Sequence, residues 1–294
     1  REDLMTEELM TVYGNYGQAE LDQQYNQSTL VPDHSAYRAL KVSESKRVRA
    51  LLDCELDVSY GPAPDEVLDI FPAKEPGAPI MMFIHGGAWK GGRKDDISYP
   101  AESFVARGVT YIGVNFSLVP DVTLDEQIRQ NRAALAWLYN NAESFGGDRD
   151  RIYVSGHSSG GHVTGMMVVT DWEGEWGLPN DLLKGAVPAS GMYDLAPVRL
   201  SWRNDYLELD EEAALRNSSI HHIPERGIPL VIAYGAGELD EFQRQSREFA
   251  AAWRAKGHSC NLIELPGLNH FDLNNEFNNP DGAILKATFE MMSV

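Results

Sequence analysis

The sequence predicts an α/β fold in which a mostly parallel sheet carries helices on both faces. Short apolar runs of strand length alternate with longer segments whose apolar residues recur at helical spacing. This alternation is typical of doubly wound parallel sheets. Glycine-rich turns follow two of the apolar runs, at residues 85–87 and 156–160. Since this class binds ligands at the carboxyl ends of its strands, the two turns are the first candidates for a functional site.

The elements can be assigned in order along the chain. Residues 56–60 and 66–71 alternate apolar and polar side chains across a Gly-Pro turn, which predicts an antiparallel hairpin. Residues 123–143 carry an apolar stripe at helical spacing, and Thr123 is a candidate cap. Further strands are predicted at residues 81–84, 109–116, 152–155, 184–188, 230–234 and 261–265, and a closing helix at 282–292.

We expect a single domain over residues 1–294. Residues 1–50 are polar and helix-prone, and we expect them to form a helical extension that is a candidate cap over the active site. Residues 171–179 and 195–224 are the other candidate cap segments.

The run Gly156-His157-Ser158-Ser159-Gly160 lies between an apolar strand and a helix of small residues. A serine at the apex of such a turn is held in strained backbone geometry with its hydroxyl exposed. The two glycines keep Cβ atoms away from the neighbouring strand and helix. The pattern is the nucleophile elbow of α/β-hydrolases, and it predicts acyl transfer to Ser158.

A second turn predicts where the charge of the reaction is stabilised. The apolar strand at 81–84 runs directly into a His-Gly-Gly sequence. In this fold such a turn supplies backbone N–H donors to the oxyanion, together with the residue after the nucleophile. The predicted donors are Gly86, Gly87 and Ser159, because a backbone without side chains approaches the substrate oxygen closely.

The base of the predicted triad is His270. It lies in a loop after the last strand, where the chain order serine, acid, histidine places it. His258 is at a polar helix end and is expected to be solvated. His157 and His162 flank the elbow and are expected to point away from Ser158.

Two residues are candidates for the acid. Glu238 and Asp240 both follow the strand at 230–234 closely. Asp240 also suits the first turn of the next helix, where negative charge opposes the positive end of the helix dipole. Geometry favours Glu238 and leaves Asp240 open.

The chain resembles the kynurenine formamidase (arylformamidase) branch of the α/β-hydrolases over nearly its whole length. Counting back from the start of the helix at 241–246 places Glu238 in the acid position of the family members that use glutamate. Ala88 and Phe116 depart from the family, in which an aromatic residue and a tyrosine are common. The segments that carry the resemblance are QYN at 24–26, VPD at 31–33, YGP at 60–62, LDIF at 68–71, HGGAW at 85–89, SGMYDLAP at 190–197 and EFQRQS at 241–246.

The resemblance implies a serine hydrolase that cleaves a small-acyl aryl amide, similar to N-formylkynurenine, through an acyl-enzyme. It implies an aromatic leaving-group pocket, with Trp89, Tyr25, Tyr193 and Trp202 as candidate lining residues, and no metal or cofactor. One alternative is a carboxylesterase, amidase or carbamate hydrolase of the same fold. Another is a non-catalytic binding protein, which is disfavoured because every triad member is present.

The charge composition limits the classes of molecule that the protein is expected to bind. The 294 residues include 25 Lys and Arg against 44 Asp and Glu, a net charge of −19. This charge argues against nucleic acid and anionic membrane surfaces as partners and favours high solubility. The partner implied by the resemblance is a small-molecule substrate with an aromatic group. No apolar run reaches transmembrane length and the N-terminus is polar, so we expect a cytoplasmic protein. A homodimer is compatible with the sequence.

Overall fold

A computed structural model describes residues 11–294, and its centre is an eight-stranded sheet. The strand order across the sheet is β1-β2-β4-β3-β5-β6-β7-β8. β2 pairs antiparallel with β1 and β4, and every other neighbouring pair is parallel. The strands are β1 (Glu55–Ser59), β2 (Val67–Phe71), β3 (Ala78–Ile84), β4 (Thr110–Val114), β5 (Gly147–His157), β6 (Leu183–Ala189), β7 (Leu230–Gly235) and β8 (Cys260–Leu265).

Helices cover both faces of the sheet. The α-helices are α1 (Gln18–Gln24), α2 (Ser35–Leu51), α3 (Ala101–Ala106), α4 (Leu124–Asn141), α5 (Ser159–Val168), α6 (Trp172–Trp176), α7 (Ala196–Leu200), α8 (Asn204–Leu207), α9 (Glu211–Arg216), α10 (Asp240–Ala255), α11 (Leu273–Glu276) and α12 (Ala283–Met292). Successive side chains of β3 enter two different apolar cores, because strand residues alternate between faces. The first core contains residues of α4, α5 and α10, and the second contains residues of α2, α3 and α12.

The structure confirms the predicted class and the antiparallel hairpin, in which Val58 pairs with Leu68. The long helix is α4, and its Thr123 cap accepts a hydrogen bond from the Glu126 N–H at 3.2 Å. The main difference is in β5, which begins at Gly147 although its first residues are polar. There Gly147 pairs with Ala78 of β3, a neighbour that local periodicity cannot reveal.

The parallel strands bring the predicted site together. β3, β5, β7 and β8 all end at the same edge of the sheet, so the loops that follow them meet there.

In the described part of the chain, no helix combines the length and apolar character needed to cross a bilayer. The first ten residues of the predicted N-terminal extension lie outside the described residues.

Candidate active site

The turn between β5 and α5 holds Ser158 in a strained conformation. Its φ is 60° and its ψ is −124°, a backbone geometry that residues with a side chain rarely adopt. A Cβ at Gly156 would lie 2.4 Å from the Gly160 carbonyl oxygen, and one at Gly160 would lie 2.1 Å from that of Ile84. Both glycines are therefore required by close backbone contacts, as the elbow pattern predicts.

Three side chains meet at this turn. The Ser158 hydroxyl lies 2.8 Å from Nε2 of His270, and Nδ1 of His270 bonds Oε1 of Glu238. All three side chains are buried. The other oxygen of Glu238 accepts hydrogen bonds from the Ser190 hydroxyl at 2.7 Å and the Gly235 N–H at 2.8 Å. The carboxylate is thus fixed on both sides, and it holds the imidazole ring toward the serine.

Asp240, the alternative acid, lies elsewhere. It is exposed and is the first residue of α10, where its charge faces the positive end of the helix dipole. Within residues 11–294 it makes no hydrogen bond to His270, whose Nδ1 is bonded to Glu238. The structure therefore brings Glu238, and not Asp240, to the histidine.

The His-Gly-Gly turn lies against the nucleophile. A Cβ at Gly86 would come within 3.2 Å of the Ser158 Cβ, and Gly87 has a φ of 132° that favours glycine. Ser159 begins α5, so its N–H has no partner within the helix. Across the described residues, the N–H groups of Gly86, Gly87 and Ser159 make no hydrogen bond. They are available to a ligand beside Ser158.

Trp89 supports this turn and does not line the cavity, contrary to the sequence-based prediction. The indole is buried and donates to Nδ1 of His162 at 3.0 Å. His162 in turn donates through Nε2 to the Asn217 carbonyl at 2.8 Å, and burial lowers its pKa to about 4. A neutral ring is what this geometry requires, because Nδ1 accepts a hydrogen bond. The side chain of Gln127 fixes the Trp89 carbonyl at 3.0 Å.

A cavity of about 450 Å³ opens above the triad. Its wall includes two of the candidate lining residues, Tyr25 and Trp202, together with Tyr37 and Phe271. Tyr193 is not part of it, which corrects the prediction. Its ring is fully buried and stacks on Phe249 with centroids 4.4 Å apart, so it belongs to the core.

Two of the three candidate cap segments contribute to the cavity wall. These are residues 25–41 and residues 202–203. Residues 171–179 do not, and the prediction for them is wrong. They follow α5, which begins at the active-site edge and runs back toward the opposite edge of the sheet. The segment therefore lines a separate surface depression with Leu183 and Ile228, near the starts of β6 and β7.

His157 was expected to point away from Ser158, and the structure places its ring beside His270. It lines the cavity, and its ring centroid lies 4.6 Å from that of His270. Burial and the adjacent His270 lower the pKa of His157 well below its usual value. His85 stacks on Phe116 at 4.2 Å, and burial lowers its pKa to about 4. Both rings are neutral at pH 7, and His157 therefore places no positive charge beside His270.

The same cluster is the place to ask whether a metal ion would fit. Within the described residues, His157, Glu238 and His270 are close enough to share a cation. However, Glu238 and His270 already bond each other, and the second nitrogen of His270 faces Ser158. The donor set is engaged in a hydrogen-bonded chain and does not present three free ligands.

Fold and site together define an α/β-hydrolase. The model of the BD-FAE family matches residues 68–251, which is more than half of the chain, and the chain belongs to this family. Kynurenine formamidase of Danio rerio is 28% identical over 277 residues, covering 90% of this chain and 92% of that protein. The protein of the same name from Salmo salar is 28% identical, covering 84% and 85%. The predicted resemblance to kynurenine formamidases is confirmed.

Esterases are also similar to this chain. Esterase LipC of Mycobacterium tuberculosis is 27% identical, covering 74% of this chain and 59% of that protein. Among solved structures, esterase B of Lactobacillus rhamnosis superposes with a TM-score of 0.71 at 18% identity, covering 91% of this chain and 94% of that one. An esterase of Pyrobaculum calidifontis gives 0.72 at 15% identity, covering 92% and 97%. The structures share the fold, and the relatives identify the chain as a hydrolase.

Proposed function

We propose that this chain is a serine hydrolase that cleaves aryl formamides, similar to N-formylkynurenine, through a formyl-enzyme. The observation that carries the proposal is the hydrogen-bonded chain from Ser158 through His270 to Glu238, beside backbone N–H groups that have no partner among residues 11–294. Similarity to kynurenine formamidases over most of the chain supports the choice of substrate.

The proposed reaction has two halves, formation and hydrolysis of the formyl-enzyme, and each of these groups acts in both. His270 accepts the Ser158 proton through Nε2 as the oxygen attacks the formyl carbon, and Glu238 stabilises the imidazolium that forms. The N–H groups of Gly86, Gly87 and Ser159 bind the oxyanion, and losing one such donor raises the barrier by roughly 3 to 4 kcal/mol. His270 then gives its proton to the leaving amine. Water activated by the same nitrogen releases formate and restores the serine.

Esterase activity is the second candidate. An esterase is similar in sequence to 74% of this chain, and the cavity is larger than a formyl group requires. An ester would use the same nucleophile, base and oxyanion donors. Esters are also more reactive than amides, so ester hydrolysis alone does not distinguish the two functions.

The test compares kcat/KM for N-formylkynurenine, an aryl acetate and an aryl acetamide. We expect about 10⁴ M⁻¹s⁻¹ or more for the formamide. Ser158→Ala is expected to remove at least about a thousandfold of this rate, because the covalent route is lost. Ser144→Ala, at an exposed position, is the matched control and keeps the wild-type rate. Turnover of the ester alone would replace the formamidase proposal with the esterase one, and a rate unaffected by Ser158→Ala would reject the nucleophile.

A further inference from the structure

Arg203 is a buried cation on the cavity wall. The residue is only 4% exposed, and it lines the same cavity as Ser158. Nε donates to the Tyr25 carbonyl at 2.9 Å, and Nη1 lies 3.8 Å from the Met192 sulfur. Among residues 11–294 it forms no ion pair, and Nη2 makes no hydrogen bond. The guanidinium is therefore buried without a carboxylate.

This arrangement is unfavourable unless an anion completes it. A guanidinium remains protonated in proteins, and removing it from water costs several kcal/mol when no opposite charge compensates. The guanidinium lies 5.7 to 5.9 Å from the ring centres of Tyr25, Trp89 and Phe242. Cation–π contacts contribute about 0.5 to 2 kcal/mol and offset only part of that cost.

The charge on the rest of the cavity wall has the same sign. Arg38 and Lys41 also line it, and Asp96 is the one carboxylate among the described lining residues. The chain as a whole carries a net charge of −19, so a local excess of cations does not follow from its composition. The cavity is positive in a negative protein, which favours an anionic ligand.

We propose that Arg203 binds a carboxylate on the leaving group of the substrate, with Arg38 and Lys41 adding to the local positive charge. The inference rests on the proposed function. The formyl group of an aryl formamide carries no ionisable group, so an anionic group on the substrate must be part of the aryl amine that leaves. Nη1 and Nη2 are the donors that remain for the ligand, and a planar guanidinium binds the two oxygens of a carboxylate in parallel. Arg203 is a specificity-determining residue and takes no part in the covalent steps.

The experiment uses two aryl formamides that differ only at the end of a side chain, a carboxylate in one and a neutral carboxamide in the other. The measured quantity is the preference, which is kcat/KM for the carboxylate divided by kcat/KM for the carboxamide. We expect the wild type to prefer the carboxylate at least about 30-fold, and Arg203→Met to lose that preference. Arg203→Lys is expected to keep part of it, because an ammonium retains the charge without the planar pair of donors.

Arg199→Met is the matched control. Arg199 is a half-buried arginine of the same segment, but it does not line the cavity, so the variant should keep the wild-type preference. Absence of a preference in the wild type, or equal losses on both substrates in Arg203→Met, would overturn the proposal. If Arg203→Met does not fold, the wild-type preference and Arg203→Lys decide. Should neither formamide react, the proposed function fails, and the same pair built on aryl acetates measures the preference separately.

Discussion

The Glu238 carboxylate is held in place by hydrogen bonds to residues that are distant in sequence. One oxygen bonds His270, 32 residues later, and the other accepts from Ser190, 48 residues earlier. A carboxylate held on both sides keeps the proton on Nδ1 and leaves Nε2 facing Ser158. This orienting contact distinguishes Glu238 from Asp240, although only two residues separate them.

A pair of variants tests the assignment of the acid. We expect Glu238→Ala to lower kcat by about 10⁴-fold, because the imidazole loses both its orientation and the charge that stabilises it. Asp240→Ala should leave kcat within a few-fold and lower the free energy of unfolding by about 0.3 to 1 kcal/mol, the usual effect of a charge at a helix N-terminus. The measurements are initial rates and urea unfolding. The reverse ranking of the two rates would move the acid to Asp240.

At the level of elements, the site depends on how closely α5 approaches β3. The Gly160 backbone packs against the carbonyl of Ile84, at the end of β3, and the strained Ser158 lies at the start of the helix. The helix and the strand carry different parts of the proposed machinery, the nucleophile and the oxyanion turn. Their separation therefore sets the distance between the attacking oxygen and the N–H donors.

Gly160→Ala tests this dependence. Its Cβ would lie 2.1 Å from the Ile84 oxygen, so the helix and strand must separate. We expect a loss of about 3 kcal/mol in the free energy of unfolding. We also expect at least about a 100-fold fall in kcat, because a shift of 1 Å is enough for such a loss. Gly113→Ala in β4 is the control, since its Cβ would meet Ile97 at an ordinary 3.6 Å. Equal effects of the two substitutions would contradict the argument.

Much of the site could be predicted because it depends on local patterns at strand ends. The elbow, the His-Gly-Gly turn and His270 each follow an apolar strand, and parallel strands bring their ends to one edge. The same patterns do not show which way an aromatic side chain points. Trp89 donates a hydrogen bond to His162, and Tyr193 stacks on Phe249 in the core. Both partners are distant in sequence, so local patterns do not predict these contacts.

At the level of the whole molecule, the N-terminal segment is tied to the far end of the chain. The Tyr25 hydroxyl donates to Glu241 at 2.9 Å and accepts from Gln245 at 2.9 Å, and Tyr37 donates to Asp272 at 3.0 Å. These contacts join residues more than 200 positions apart and hold residues 25–41 as one wall of the cavity. Sequence identified the segment as a candidate cap, but only the tertiary contacts position it.

The buried histidines make the stability of the folded protein depend on pH. The pKa values of His85 and His162 are lowered by burial to about 4, and that of His157 lies well below its usual value. In the unfolded chain a histidine titrates near pH 6.5. Between about pH 6.5 and 4, the unfolded state therefore binds protons that the native state does not. Stability is highest above this window and decreases as the pH falls through it.

His162 is the group on which this can be measured, because it lies in the core beside Trp89 rather than in contact with His270. His162→Gln should be less stable than the wild type at pH 7, since its bonds to Trp89 and Asn217 are altered. However, its further loss between pH 7 and pH 5 should be smaller by about 2 kcal/mol, because one proton-binding group of the unfolded state is gone. Urea unfolding at the two pH values gives the difference. His222→Gln, at an exposed position, should keep the wild-type loss, and an unchanged loss in His162→Gln would show that its buried ring does not carry the acid sensitivity.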